Sequence, residues 1–199
     1  MDSAGSLYGT TRSGGANKFC PEEQGYGTVF KLDASHKLTA LHSFVGGADG
    51  WAVAAGLASD EQGNLYGTTL GGGTSNMGTA YEVTKSGKER ILHSFTGAPD
   101  GADPAATLFL DRDGLFYGTT YSGGDVSCVG ETYGCGIIFQ IDKSGNEKAL
   151  YSFNGSSDGA EPTGNVISDP RGYLYGTTSR GPEYGCPQRN CGTVWKLEK

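Results

Sequence analysis

The 199-residue chain lacks any apolar run approaching the roughly 20 residues a membrane-spanning helix requires, so no span is expected. Residues 1–30 also lack the basic start and apolar block of a secretion signal; an exported parent protein would carry that signal outside this sequence. Lys and Arg nowhere cluster, and the formal net charge of −7 repels polyanions, which argues against a nucleic-acid partner. Histidine is scarce, with three residues, and no Ser-His-Asp or Cys-His constellation can be assembled from the spacing. No P-loop Lys-Ser/Thr follows any glycine-rich stretch, so Gly14-Gly15, Gly71-Gly72-Gly73 and Gly123-Gly124 read as loop glycines. No catalytic group, metal or cofactor is therefore expected.

What the chain has in excess is glycine, with 35 residues, more than twice the usual share. The excess is periodic. Leu-Tyr-Gly-Thr-Thr occurs at Leu7 to Thr11, Leu65 to Thr69 and Leu174 to Thr178, with a one-residue variant at Phe116 to Thr120. The steps of about 58, 51 and 58 residues fall where repetition means a propeller, solenoid or array. A glycine-rich stretch follows each copy, then Gly27-Thr28-Val29-Phe30, Gly78-Thr79-Ala80-Tyr81, Gly136-Ile137-Ile138-Phe139 or Gly192-Thr193-Val194-Trp195. Leu41-His42-Ser43-Phe44, Leu92-His93-Ser94-Phe95 and Leu150-Tyr151-Ser152-Phe153 come next, followed by Asp49-Gly50, Asp100-Gly101 and Asp158-Gly159. A short apolar run ending in Asp60, Asp111 or Asp169 leads back to the pentapeptide.

Each segment is short, rich in Val, Ile, Thr, Tyr and Phe, and bounded by Gly, Asp, Asn or Ser, which predicts strands and leaves no room for a helix. Phe30-Lys31-Leu32 and its equivalents alternate apolar with polar, the pattern of a half-buried strand. Asp33-Ala34-Ser35, Lys85-Ser86-Gly87 and Lys143-Ser144-Gly145 supply hairpin turns. The fold class is all-β, with four blade-like units of a β-propeller type and about 14 short antiparallel strands. We label the strands of a unit a (the run ending in Asp), b (the pentapeptide), c (Gly-Thr-Val-Phe) and d (Leu-His-Ser-Phe). The whole of 1–199 is one repeat domain, with units at about 1–55, 56–106, 107–164 and 165–199. The first unit lacks strand a and the last lacks strand d. That pattern fits a fragment of a longer ring, or an open or imperfectly closed one whose bare edges invite edge-strand association.

Five cysteines bear on the compartment. Cys128 and Cys135 flank one b-to-c loop, and Cys186 and Cys191 flank the equivalent loop of the next unit, which predicts two loop-pinning disulfides in an oxidising compartment. Cys20 has no equivalent partner and reads as a free thiol. A zinc site using both pairs is the rival, disfavoured because the Cys128 to Cys135 gap exceeds the usual ligand spacing.

With these motifs in order, the chain resembles the GloVer-type tandem repeat family of Gloeobacter and Verrucomicrobia members over nearly its whole length. The carrying residues are Leu-Tyr-Gly-Thr-Thr, the Gly-Gly pairs, Gly-Thr-Val-Phe-Lys-Leu, Leu-His-Ser-Phe and Asp-Gly. The resemblance implies a bacterial, cell-surface or exported repeat protein, often with a carboxy-terminal anchoring segment. It brings no catalytic motif that can be placed on these residues.

His42 and His93 recur at a position that unit 3 fills with Tyr151, so they read as structural. Asp49, Asp100 and Asp158 read as Asx-type turns in preference to calcium ligands. The b-to-c loops vary while the strands do not, and function concentrates on such loops. Arg12, Trp51, Tyr121 and Arg180, with Glu23, Glu131 and Glu183 at loop tips, are the candidate ligand-binding residues, since rings beside charges suit a glycan or a protein segment. The expected function is a non-enzymatic extracellular binding scaffold. The alternatives are a carbohydrate-binding lectin and a glycan-active enzyme using two of those three glutamates, a pairing that their one-per-unit spacing disfavours.

Overall fold

The structure, a computed structural model, describes residues 1–16, 25–53, 55–128, 133–181 and 191–199. Fourteen strands form four antiparallel sheets, and the only helical element among the described residues is a short 3-10 turn at Gly47–Asp49. The first sheet holds β1 (Leu7–Thr11), β2 (Thr28–Leu32) and β3 (Leu38–Ser43). The second holds β4 (Ala58–Ser59), β5 (Leu65–Thr69), β6 (Thr79–Val83) and β7 (Glu89–Ser94). The third holds β8 (Phe109–Leu110), β9 (Phe116–Thr119), β10 (Ile137–Ile141) and β11 (Glu147–Ser152), and the fourth holds β12 (Ile167–Ser168), β13 (Leu174–Thr177) and β14 (Val194–Leu197). Each sheet is an a-b-c-d meander in sequence order. Among the described residues the first has strands b, c and d and the fourth a, b and c, in line with the motif count.

The tyrosine, glycine and final threonine of the pentapeptide each have a structural task that recurs from unit to unit. The tyrosine hydroxyl donates to the aspartate that ends strand a: Tyr66 to Asp60 at 2.9 Å, Tyr117 to Asp111 at 3.1 Å and Tyr175 to Asp169 at 3.0 Å. In the first unit, Tyr8 finds Asp2 at 2.9 Å, so the motif's aspartate is present although strand a is not. The same aspartates accept the backbone N–H four residues on and so close the a-to-b turn. The glycine faces the aromatic residue of strand c in register: Gly9 to Phe30, Gly67 to Tyr81, Gly118 to Phe139 and Gly176 to Trp195. A Cβ on those glycines would lie 2.2–2.7 Å from the ring, well inside normal carbon contact. Gly is therefore required by close approach, and the ring lies over bare backbone.

The final threonine pins the mouth of the b-to-c loop. Thr69 Oγ1 lies 2.8 Å from Thr79 Oγ1, accepts the Thr79 N–H at 3.1 Å and donates to the Gly71 carbonyl at 2.9 Å. Thr120 and Thr178 repeat the bond to the carbonyl two residues on, at 2.8 and 2.7 Å. In the first unit the preceding threonine reaches the segment that leads into the next unit, as Thr10 Oγ1 donates to the Ala55 carbonyl at 2.8 Å, whereas Thr119 Oγ1 in the third unit is buried without a partner.

The core lies between sheets, which pack face to face. Phe44, Val29, Val53, Leu65, Tyr81 and Val83 fill the first interface; Tyr66, Phe95, Phe116 and Phe139 anchor the second; Tyr117, Phe153, Leu174 and Trp195 anchor the third. The strand d phenylalanine meets the strand c ring of the following unit edge-on, Phe44 with Tyr81 at 5.0 Å, Phe95 with Phe139 at 5.1 Å and Phe153 with Trp195 at 6.4 Å. Ion pairs tie the same interfaces: Lys143 reaches back to Asp60 and the equivalent Lys199 to Asp111, both at 2.8 Å. Burial of Asp60 works against ionisation, but Lys143, the Asn64 amide and Tyr66 outweigh it and hold its carboxyl at about 2.

Strand a is shorter than its motif predicts, at two residues per sheet. The residues before it bond across units: the Gly56 N–H donates to Thr107 Oγ1 and the equivalent Thr107 N–H donates to Asn165 Oδ1, both at 3.0 Å. Strand c meets strand d with a register shift at the same place in three sheets, which leaves Leu41, Leu92 and Leu150 as bulges.

Candidate functional site

Three non-glycine residues share one unusual conformation at one place in the repeat. Ala52, Asp103 and Glu161, each two residues beyond Asp-Gly, have φ of 57°, 55° and 56°. L residues adopt this left-handed region at a cost of roughly 1–2 kcal/mol, so surrounding bonds must hold it. They do. The N–H of each donates to the b-to-c loop of its own unit (Tyr26 at 3.1 Å, Met77 at 2.9 Å, Cys135 at 2.9 Å), and the carbonyl of each accepts from the residue just after the next unit's pentapeptide (Leu70 at 3.2 Å, Tyr121 at 3.1 Å, Ser179 at 3.0 Å).

This latch carries an alanine in one interface and acids in the other two. Asp103 Oδ2 accepts from Ser122 Oγ at 2.8 Å. Glu161 accepts from Ser179 Oγ at 2.9 Å and Arg180 Nη1 at 3.1 Å. Tyr121, 41% exposed, feels both acids: burial raises its phenol pKa first, Glu161 raises it further by charge and hydrogen bonding, Arg180 opposes, and Asp103 adds to the rise. An exposed ring is thus flanked by two carboxylates, two hydroxyls and a guanidinium on a backbone fixed by latches. Cys128 and Cys135 form a disulfide with Cα atoms 5.8 Å apart, and the Cys135 carbonyl is the one that holds Glu161. The bond leaves no thiolate there for zinc. Cys191 is also disulfide-bonded, while Cys20 and Cys186 lie outside the described residues.

The structure brings Tyr121 and Arg180 together through Glu161. The other two candidates from the same face stand apart. Trp51 occupies the place of Ala102 and Ala160 one or two interfaces away, where its ring covers Gly71 and Nε1 donates to Asn76 at 3.0 Å. Arg12 takes the place of Tyr121 in the first unit and is exposed. Glu23, Glu131 and Glu183, the loop-tip acids, lie outside the described residues. Asp103 and Glu161 were missed, although each sits in an Asp-Gly-Ala-acid-Pro string, Asp100 to Pro104 and Asp158 to Pro162, that marks them.

The expected Asx turns take a different form. Asp49, Asp100 and Asp158 accept backbone N–H groups from four residues earlier, Val45, Thr96 and Asn154, and so close the loop backwards. His42 and His93 Nε2 approach the same aspartates at 3.1 and 2.9 Å, and in unit 3 the Tyr151 hydroxyl donates to Asp158 at 2.8 Å.

The Gloeobacter/Verrucomicrobia repeat matches residues 1–199. The chain belongs to this family. No curated protein matches the sequence. Among solved structures, a luciferin-regenerating enzyme superposes with a TM-score of 0.57 at 18% identity, covering 100% of this chain and 59% of that one. A putative gluconolactonase gives 0.46 at 15% identity over 76% of this chain and 48% of that one. A putative 6-phosphogluconolactonase from Bacteroides uniformis gives 0.47 at 13% identity over 98% and 55%. The chain thus spans about half to three-fifths of the length of these structures, and at such identity the first likeness bears on fold alone. No helix of the described residues is long and apolar enough to cross a membrane.

Proposed function

We propose that this family member is an exported or cell-surface repeat module that binds a glycan-class ligand, without transforming it, at the latch face around Tyr121. The carrying observation is the exposed Tyr121 ring set among Asp103, Glu161, Ser122, Ser179 and Arg180 on a strained, fully bonded backbone. Aromatic faces stack on the apolar faces of sugar rings, and fixed carboxylates and hydroxyls select the orientation of sugar hydroxyls. The disulfide under Glu161 favours an oxidising compartment, and so an extracellular setting.

Binding is favoured over catalysis because Glu161 is engaged by Ser179 and Arg180, and Asp103 by Ser122. A glycosidase needs one of its two carboxyls held protonated and facing the leaving group. The likeness to the luciferin-regenerating structure leaves this reading in place, since shared fold does not carry function. A glycan array comparing wild type with Tyr121→Ala tests it: binding of at least one glycan class, lost in the variant, is expected. Retained binding in the variant, or turnover of the bound glycan, would refute it.

A further inference from the structure

Two clusters outside the latch face repeat one arrangement. His42 and Asp49 from one unit meet Glu89, the first residue of the next unit's strand d; His93 and Asp100 meet Glu147 in the same way one interface later. In each set one histidine nitrogen and two carboxylate oxygens lie within 4.8 Å of one another. The histidine ring is held edge-on against Phe44 or Phe95, with centroids 4.7 and 4.9 Å apart, which fixes where Nε2 points. Asp49 and Asp100 are each anchored through Oδ2 to a backbone N–H, and Oδ1 is the oxygen nearer the histidine, at 3.1 and 2.9 Å against 3.4 and 3.1 Å for Oδ2. The glutamates supply the independent sign: in these half-buried side chains Glu89 Oε1 and Glu147 Oε1 are shut off from solvent with no donor against them, and Glu147 faces the Asp100 carboxylate instead. A buried acceptor without a donor is costly, and two carboxylates turned toward each other need positive charge between them.

From this geometry we infer that His42, Asp49 and Glu89, and separately His93, Asp100 and Glu147, form two equivalent sites for a divalent transition metal of the zinc class, each stapling one unit to the next. One imidazole and two carboxylates match the nitrogen and oxygen preference of such ions, with a fourth position left for water. Donor atoms around a tetrahedral ion lie about 3.3 Å apart, so the present His–Asp separations of 3.1 and 2.9 Å need open only by tenths of an ångström. The third unit is a built-in contrast, because Tyr151 replaces the histidine there.

Isothermal titration of chelator-treated protein with zinc decides the matter, with far-UV circular dichroism confirming that each variant is folded. Wild type takes up two ions per chain, His93→Ala one, and the His42→Ala, His93→Ala double variant none. Glu147→Gln, which keeps side-chain shape, weakens one site at least about tenfold and serves where the histidine variants fail to fold. Absence of uptake by wild type would overturn the inference, as a shared proton would then be the bridge. Unchanged stoichiometry in the double variant would overturn it too, placing the metal on cysteine.

Discussion

Substituting Gly118 by alanine probes the contact that explains both the pentapeptide glycine and the aromatic residue of strand c. Gly118 lies outside the positive-φ glycines, so no backbone strain is introduced and the effect is steric. The new Cβ would lie 2.5 Å from Phe139 Cζ, 2.9 Å from Cε1 and 3.0 Å from Leu108 Cδ2. Normal carbon contact is about 3.5–4.0 Å, so the ring must shift by about 1 Å. Phe139 has nowhere to go: it is 0% exposed and packed against Phe95. Overpacking of this kind costs about 1–3 kcal/mol, offset by about 0.4–1 kcal/mol from the stiffer unfolded chain. Net destabilisation of about 1–2 kcal/mol is expected, which lowers Tm by roughly 2–8 °C in a chain of this size. Urea unfolding of Gly118→Ala, Phe139→Leu and the double variant measures it. The two changes should couple favourably by about 1 kcal/mol, because the smaller side chain makes room for the methyl. A neutral Gly118→Ala, or strict additivity within about 0.3 kcal/mol, would refute the close-approach argument.

Three other outcomes follow from the same geometry. Thr120→Val keeps shape but leaves the Ser122 carbonyl and the Ile137 N–H without their hydroxyl, so stability should fall by about 1–3 kcal/mol and amide exchange should quicken in the loop after strand b. Glu89 and Glu147 are both raised from 4.5 to about 7, by burial first and then by Asp49 or Asp100, with His42 or His93 opposing. Folding therefore favours their protonated forms, and the metal-free protein should lose stability as pH rises from about 4.5 through 7, on the order of 1 kcal/mol per group after allowing for partial exposure. A Glu89→Gln, Glu147→Gln variant should flatten that slope in chemical denaturation; an unchanged slope would contradict it. Cys128 and Cys135 should resist alkylation until a reductant is added, and labelling of the unreduced protein would argue against an oxidising compartment.

Local pattern carried the strands well, because strands b and c are coded by alternation and by an aromatic-glycine pair that repeats in each unit. Strand a of the second unit was overextended from its apolar run, since Gly56 spends its N–H group on Thr107 of the next unit, a partner choice invisible along the chain. The bulges at Leu41, Leu92 and Leu150 were hidden for a similar reason: register is a property of two strands. At the candidate site, Tyr121 and Arg180 were visible as a ring and a charge after strand b. Asp103 and Glu161 were not, because their role arises from a left-handed backbone that joins loops of two units. His42 and Glu89 likewise meet only across an interface, and only the pairing of sheets brings them together.

The central claim, that the latch face between units is where this repeat protein binds, is tested most directly by an NMR titration with a glycan that scores on the array. Shifts concentrated at Asp103, Tyr121, Ser122, Glu161, Ser179 and Arg180, abolished in Tyr121→Ala, are the predicted result. Saturable binding whose shifts map to the opposite turns around Asp60, Asp111 and Asp169, with the Tyr121 region silent, would contradict it.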